Sequence, residues 1–221
     1  MSQKLKIDIV SDVSCPWCII GYQSATAALA QLAPNISAEL AWHPFELNSA
    51  MPAEGEDLGE HLHKKYGSSK AEVEQTRAMI TDRGAALGFP FNFKEDGRIY
   101  NTFNAHRLLY WARQFGKQTE LKLALFGLYF TESGDPSNIE QLLKVVEKVG
   151  LSVEEARQLL QSDRLTHEVR TEQAKYLDMG ISSVPTFIVN DKYKITGGQP
   201  VETFIKTFET IAKEEAALKT A

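Results

Sequence analysis

Strand-like alternation occurs only near the two ends of this 221-residue chain, and the long stretch between reads as helix. Leu5, Ile7 and Ile9 alternate with Lys6, Asp8 and Val10, the period-two pattern of a strand buried on at least one face. Pro16 to about Leu32 reads as a helix. Pro16 suits its first position, where a missing N–H costs no helical bond, Ile19, Ile20, Ala27, Ala28 and Leu32 supply an apolar side, and Pro34 marks the stop. Ile36, Ala38, Leu40 and Trp42 alternate with Ser37, Glu39 and Ala41, a second strand ending at His43-Pro44. A β–α–β opening makes parallel neighbours. The strand signal returns at Thr186–Val189, turns at Asn190-Asp191 and continues through Tyr193-Lys194-Ile195. After Gly197-Gly198-Gln199-Pro200, a last helix from about Val201 places Phe204, Ile205, Phe208, Ile211 and Ala212 on one face. Residues 1–50 and 180–221 are therefore expected to form one discontinuous α/β domain, with 51–179 an all-helical insertion.

Within the block, no convincing strand is read between Asp57 and Met179. Asn104–Phe115 carries Leu108, Leu109, Ala112 and Phe115 on one side, and Asn138–Val149 is amphipathic through Ile139, Leu142, Leu143, Val146 and Val149. Ser152-x-x-Glu155 reads as a capping box. Phe89–Tyr100 reads as a loop, and His61 and His63 as residues of a solvated helix face. At 43% hydrophobic and 24% charged the chain can bury a real core. Its formal charge of −5, with both signs mixed, argues against non-specific nucleic-acid binding. No window approaches the roughly 20 apolar residues of a membrane span. The start runs into strand pattern without an apolar signal segment, so a cytoplasmic protein is expected.

The only two cysteines, Cys15 and Cys18, stand where the first strand gives way to the first helix, in Ser14-Cys15-Pro16-Trp17-Cys18. A disulfide stabilises less the smaller the loop it closes, and in a reducing cytosol it is usually transient or catalytic. Cys15 is expected at the helix N-cap, where unpaired N–H groups and the helix dipole favour a thiolate. It then serves as the exposed nucleophile, with Cys18, one turn in and more buried, as the resolving thiol. Half a zinc site is the second reading, but zinc needs about two further ligands and His61-x-His63 has the wrong spacing to share a helix face. Two inert core thiols are the third reading, which leaves their place at the strand–helix junction unexplained. Asp12 is a candidate proton acceptor near the pair, with turn formation as the alternative. Val184-Pro185 stands directly before a strand, where proline fits only at the first residue. A cis bond there would turn the chain sharply and leave the Val184 backbone groups free for an extended peptide, though cis is a minority state for X–Pro bonds.

With CxxC on the first β–α junction and Val-Pro before a hairpin and final helix, the chain resembles the thioredoxin superfamily, and its helical block is similar to that of the DsbA branch. Within that branch, Asp12–Gly21, Trp42–Asn48, Asn101–Leu108, Gly180–Phe187 and Gly197–Pro200 resemble the FrnE-like oxidoreductases. The resemblance implies a thioredoxin-like fold with a large helical insertion, Cys15 as nucleophile, Cys18 as resolver and Pro185 as a cis-proline presenting substrate. Pro16, Trp17 and Val184 are then expected beside the substrate. It implies protein or peptide thiols and disulfides as partners, glutathione as a candidate redox partner, and no bound cofactor. No further cysteine pair supplies a second redox centre, and the absence of a secretory segment points away from general oxidation of secreted proteins. His106 and Arg107 lie in a family-like block, with packing as the default role and a place lining the dithiol cleft as the alternative.

The expected function is thiol–disulfide exchange through Cys15 and Cys18. The alternative is a glutathione-dependent isomerase or transferase of the kappa-class or hydroxychromene-carboxylate isomerase type. Those families resemble this arrangement but typically carry Ser where this chain has Cys15. A non-catalytic peptide-binding module is a third class, which an unperturbed Cys15 thiol would favour.

Overall fold

A computed structural model describes residues 3–52 and 54–220; Met1, Ser2, Ala53 and Ala221, which the expected domain limits include, lie outside the described residues. The chain runs β1 (Gln3–Ser11), α1 (Pro16–Leu32), β2 (Ile36–Pro44), β3 (Glu56–Asp57), α2 (Leu58–Tyr66), α3 (Lys70–Ala86), β4 (Arg98–Ile99), α4 (Phe103–Ala112), α5 (Gln118–Phe126), α6 (Ile139–Lys148), α7 (Val153–Leu160), α8 (Thr166–Asp178), β5 (Thr186–Val189), β6 (Tyr193–Thr196) and α9 (Val201–Thr220). The main sheet has the order β2-β1-β5-β6. β1 and β2 are parallel, whereas β5 is antiparallel to both β1 and β6.

Period two explains how β1 can be the inner strand. Leu5, Ile7 and Ile9 join the core formed with α1 and with Phe204, Phe208 and Ile211 of α9. Val10, on the other parity, packs with Ile188 and with Tyr176 of α8. The second face is the more polar one: it carries Asp8, also buried. The hairpin forms because Asn190 and Asp191 both accept positive φ (52° and 56°), the conformation that two-residue turns require. Asn and Asp tolerate it better than most residues.

The helical block has its own core, built by α4 to α7 around Leu108, Leu125, Leu142 and Leu159, and Val13 from the β1–α1 turn enters it. Phe89, Phe91, Phe126 and Phe130 of the block join the main core instead. The block is therefore packed into the sheet domain from both directions. α6 starts as its sequence signals, with Asn138 accepting from the Gln141 N–H, and Ser152 accepts from the Glu155 N–H at the start of α7.

Two expectations are corrected. β3 and β4 pair antiparallel, Glu56 with Ile99 and Asp57 with Arg98, inside segments read as strandless. A two-residue strand carries no periodicity to read. The helix expected over Asn104–Phe115 ends at Ala112 and tightens into a 3-10 turn at Arg113–Phe115. There Gly116 takes φ 66°, ending the turn.

Candidate active site

β1 runs out at Ser11, and Asp12 turns the chain into α1. The Asp12 carbonyl accepts from the Cys15 N–H at 3.3 Å. Its carboxylate accepts from the Ser14 N–H at 3.4 Å and hydroxyl at 3.0 Å. Cys15 is the N-cap, extended at φ −96°, and Pro16 follows at N1. The Cys18 N–H donates back to the Cys15 carbonyl at 3.1 Å. Both sulfurs are free thiols. Cys15 was expected to be exposed, yet it is only 3% exposed, and Cys18 is fully buried. Cys15 nevertheless lines the edge of a cleft, with its sulfur 3.5 Å from the Val184 carbonyl oxygen.

The Val184–Pro185 peptide bond is cis. Gly21 lets α1 come close to it: a Cβ there would stand 3.1 Å from Pro185 Cγ and 3.2 Å from the Gly198 Cα. Gly198 in turn lies under Trp17, where a Cβ would meet the Trp17 carbonyl at 3.0 Å. Glycine at both positions is what allows the dithiol helix, the Val184–Pro185 turn and the Gly197–Gly198 loop to meet.

The cleft has a volume of about 1050 Å³. Cys15, Pro16, Trp17 and Val184 line it, opposite residues of α2, α3 and the Phe93–Tyr100 segment. The expected site residues thus divide into two layers. Cys18, Asp12, Pro185 and His106 lie behind the cleft wall. His61, expected on a solvated face, turns to the cleft instead, with Nδ1 2.9 Å from Glu56 and Nε2 3.0 Å from Asn48. Arg107 takes the packing role: it is buried and donates to the carbonyls of Leu159, Ser162 and Arg164. Among the described residues, no group of three or more His, Cys, Asp or Glu side chains is placed to hold a metal ion.

The dithiol titrates as one unit. The hydrogen bond to Cys18 and burial push the Cys15 thiol well above its ordinary value, against the pull of the Cys18 backbone N–H. Burial opposes the Cys18 thiolate as well, but the hydrogen bond from Cys15, the charge of Lys122, and Ser11 outweigh it and move Cys18 down. Backbone N–H groups at the helix N-terminus, with the groups around them, were expected to activate Cys15. In this buried pair the first thiolate settles on Cys18, and Asp12 adds a repelling charge at Cys15. Asp12 itself is lowered to about 2: burial raises it, but His106, the Leu47 N–H and Thr102 more than compensate. The distances are 3.3 Å from His106 Nε2 and 2.8 Å from the Leu47 N–H. So held, the carboxylate is ionised near neutral pH and fixes the turn from β1 into α1 through Ser14.

The sequence profile of the DSBA-like thioredoxin domain family matches residues 6–209. The chain belongs to that family. This DSBA-like chain is also 26% identical over 211 residues to the uncharacterized protein YwbO of Bacillus subtilis (strain 168), covering 95% of this chain and 98% of YwbO. Its fold is similar to that of the probable DsbA oxidoreductase SCO1869 from Streptomyces coelicolor, with a TM-score of 0.88 and 27% identity across 95% of this chain and 91% of the other. A 2-hydroxychromene-2-carboxylate isomerase superposes with a TM-score of 0.71 at 16% identity, over 96% and 98% of the two chains. That last likeness shows the fold alone. The DSBA-like membership makes the chain a member of a thiol oxidoreductase family.

Lys122 escaped the sequence reading of this DSBA-like chain. It is 1% exposed, with Nζ 5.3 Å from the Trp42 ring centroid and 5.0 Å from that of Phe126. The signal was present in the spacing. Gln118, Leu121, Lys122, Leu125 and Phe126 are the buried residues of α5, the i, i+3, i+4, i+7, i+8 set of a core-facing stripe. A lysine in mid-stripe is an inward charge.

Proposed function

We propose that this protein is a thiol–disulfide oxidoreductase of the FrnE-like kind, acting on protein or peptide disulfides through Cys15 and Cys18. The observation that carries the reading is the arrangement of the two free thiols: Cys15 as N-cap of α1 and Cys18 one turn in, with Cys15 at the cleft edge beside the Val184 carbonyl. Shifting the shared proton from Cys15 to Cys18 leaves a Cys15 thiolate facing the Cys18 N–H. Cys15 attacks one substrate sulfur; the substrate S–S bond breaks, and the other sulfur leaves as a thiolate that takes up a proton. Cys18 loses its proton and attacks Cys15. The Cys15–substrate bond breaks and the enzyme disulfide forms, so the dithiol has lost two electrons and the substrate has gained them. Run backwards, the same steps oxidise a substrate dithiol.

Small-molecule sites usually occupy about 300–1000 Å³. A cleft of about 1050 Å³ has room for a peptide segment around its disulfide. Glutathione fits the proposal as a small thiol that returns the disulfide to the dithiol. The transferase or isomerase alternative gives Cys18 no task. An insulin-reduction assay beside a glutathione-conjugation assay separates the two. Wild-type protein is expected to reduce insulin, Cys15→Ser to lose turnover, and Cys18→Ser to accumulate a mixed disulfide visible by mass. Full activity in Cys15→Ser would sink the reading.

A further inference from the structure

We propose that Lys122 is a positioning residue for the resolving step: carried in by α5 from the helical block, its ammonium holds Cys18 as the thiolate when Cys15 is engaged in the mixed disulfide. The inference deepens the redox reading and rests on it. A buried ammonium costs several kcal/mol unless its charge is met. The rings of Trp42 and Phe126 meet part of it through cation–π contacts. Asp12 is committed elsewhere, to His106, Ser14 and Leu47. Burial lowers Lys122 to about 8, while the charges of Cys18, Asp12 and Cys15, in that order, favour its ammonium. Conversely Lys122 favours the Cys18 thiolate. Cys18 belongs to the same buried cluster as Trp42 and Phe126, the two rings that hold the ammonium, so sulfur and lysine share one packed core.

The surroundings fit that role. The charged and titratable groups facing Lys122 are Cys18 of α1, Cys15 at its N-cap, Asp12 of the preceding turn, Tyr110 and His106 of α4, His43 of β2, and Arg113 beyond α4. Tyr110, His106, His43 and Arg113 share with it a chamber of about 10 Å³. The proton Cys18 gives up is balanced by the one the departing substrate thiolate takes up. In the resolving step the Cys18 thiolate supplies the electron pair for the new S–S bond, the Cys15–substrate bond breaks, and the substrate leaves as a thiolate. Lys122 neither gains nor loses electrons. It loses its thiolate partner, so disulfide formation weakens its hold on its own proton.

The test uses the full chain. In Cys15→Ser, Cys18 is the sole thiol, and thiolate ultraviolet absorbance against pH reports it alone. Adding Lys122→Met is expected to raise the Cys18 midpoint by about one pH unit, roughly a tenfold loss of thiolate at fixed pH, while Lys122→Arg keeps it within a fraction of that. Because Lys122→Met can disturb packing, far-UV circular dichroism accompanies it. The reciprocal experiment leaves Lys122 in place: lysine ε-carbon NMR should show the Lys122 midpoint falling when Cys18→Ser is added to Cys15→Ser, since coupling is mutual. An unmoved Cys18 midpoint in folded Lys122→Met, or an unmoved Lys122 midpoint in the reciprocal pair, overturns the proposal. Either result with insulin turnover intact leaves the oxidoreductase reading standing. Loss of turnover in wild type removes that reading first.

Discussion

Asp12 stays ionised inside the protein because donors converge on it from three segments: His106 of α4, Ser14 of its own turn, and the Leu47 N–H. Its carboxyl is lowered to about 2 from an ordinary 3.8. A depressed carboxylate contributes stability above the unfolded value and loses it as pH falls through the folded one. Unfolding in urea should therefore show about 2 kcal/mol disappearing between about pH 4 and pH 2, and Asp12→Asn should flatten that slope. The same substitution removes a repelling charge from Cys15. Its alkylation at neutral pH should become faster as the protein becomes less stable, a trade seen where active sites carry strain. Equal alkylation rates in the two proteins would remove Asp12 from the control of Cys15. Legibility at this scale was uneven. Cys15 and Cys18 were plain because nothing else in the chain shares their chemistry. The proton arrangement between them was not, because it depends on burial, and on Lys122, His106 and Leu47 arriving from distant segments.

At the scale of elements, α1 depends on how closely its second turn approaches the Val184–Pro185 segment. Gly21 leaves 3.1–3.2 Å between a hypothetical Cβ and Pro185, Gly198 and Phe187. Gly21→Val should force these apart. It is expected to cost about 1–3 kcal/mol through overpacking and to lower insulin turnover by more than its loss of stability explains, because Cys15 and Val184 separate. Turnover unchanged beside a lowered melting temperature would show the approach to be structural only. β1, α1, β2, β5, β6 and α9 were all readable, because period two, Pro16, the Asn190-Asp191 turn and the Phe204–Phe208–Ile211 face each have a local cause. The β3–β4 pair and the widened turn at Gly127–Thr131 that continues α5 were not, since neither has a period of its own. A helix around His61 and His63 was expected, but not its bounds or its orientation. Only the finished cleft shows His61 turned inward.

The whole molecule is joined by two buried charge systems. His43 of β2 has one ring nitrogen 2.8 Å from Asp8 of β1 and the other bonded to Glu172 of α8, which Arg113 also contacts at 3.1 Å. With both nitrogens facing carboxylates, His43 carries both protons. Burial opposes that charge, but Asp8 and Glu172 outweigh it and raise the imidazole above its ordinary 6.5. A raised histidine contributes fully below the unfolded value and loses the contribution as pH rises through the folded one. Melting temperature should fall from about pH 6.5 upward, and His43→Gln should lessen that dependence. Arg107 performs the second junction, fixing α4 to the α7–α8 connection through three carbonyls. Arg107→Met removes the donor these carbonyls share, while the Leu159 carbonyl keeps the Ser162 N–H and hydroxyl, so the expected cost is about 1–3 kcal/mol, measurable by urea unfolding; a loss below about 1 kcal/mol would mean that water replaces the guanidinium.

The order in which the ribosome delivers the strands adds a constraint. β1 is made long before the partner of its β5 edge: the Lys6 N–H bonds to Asn190, 184 residues later. At cellular synthesis rates that edge stays open for roughly 10–40 s. The helical block, whose core is drawn mostly from neighbouring helices, can condense in that interval, as local contacts form sooner than distant ones. Nascent chains stalled before β5 should therefore resist protease across α4–α7 while β1 and α1 are still cut. The dithiol would take its final setting only when the last hairpin has emerged.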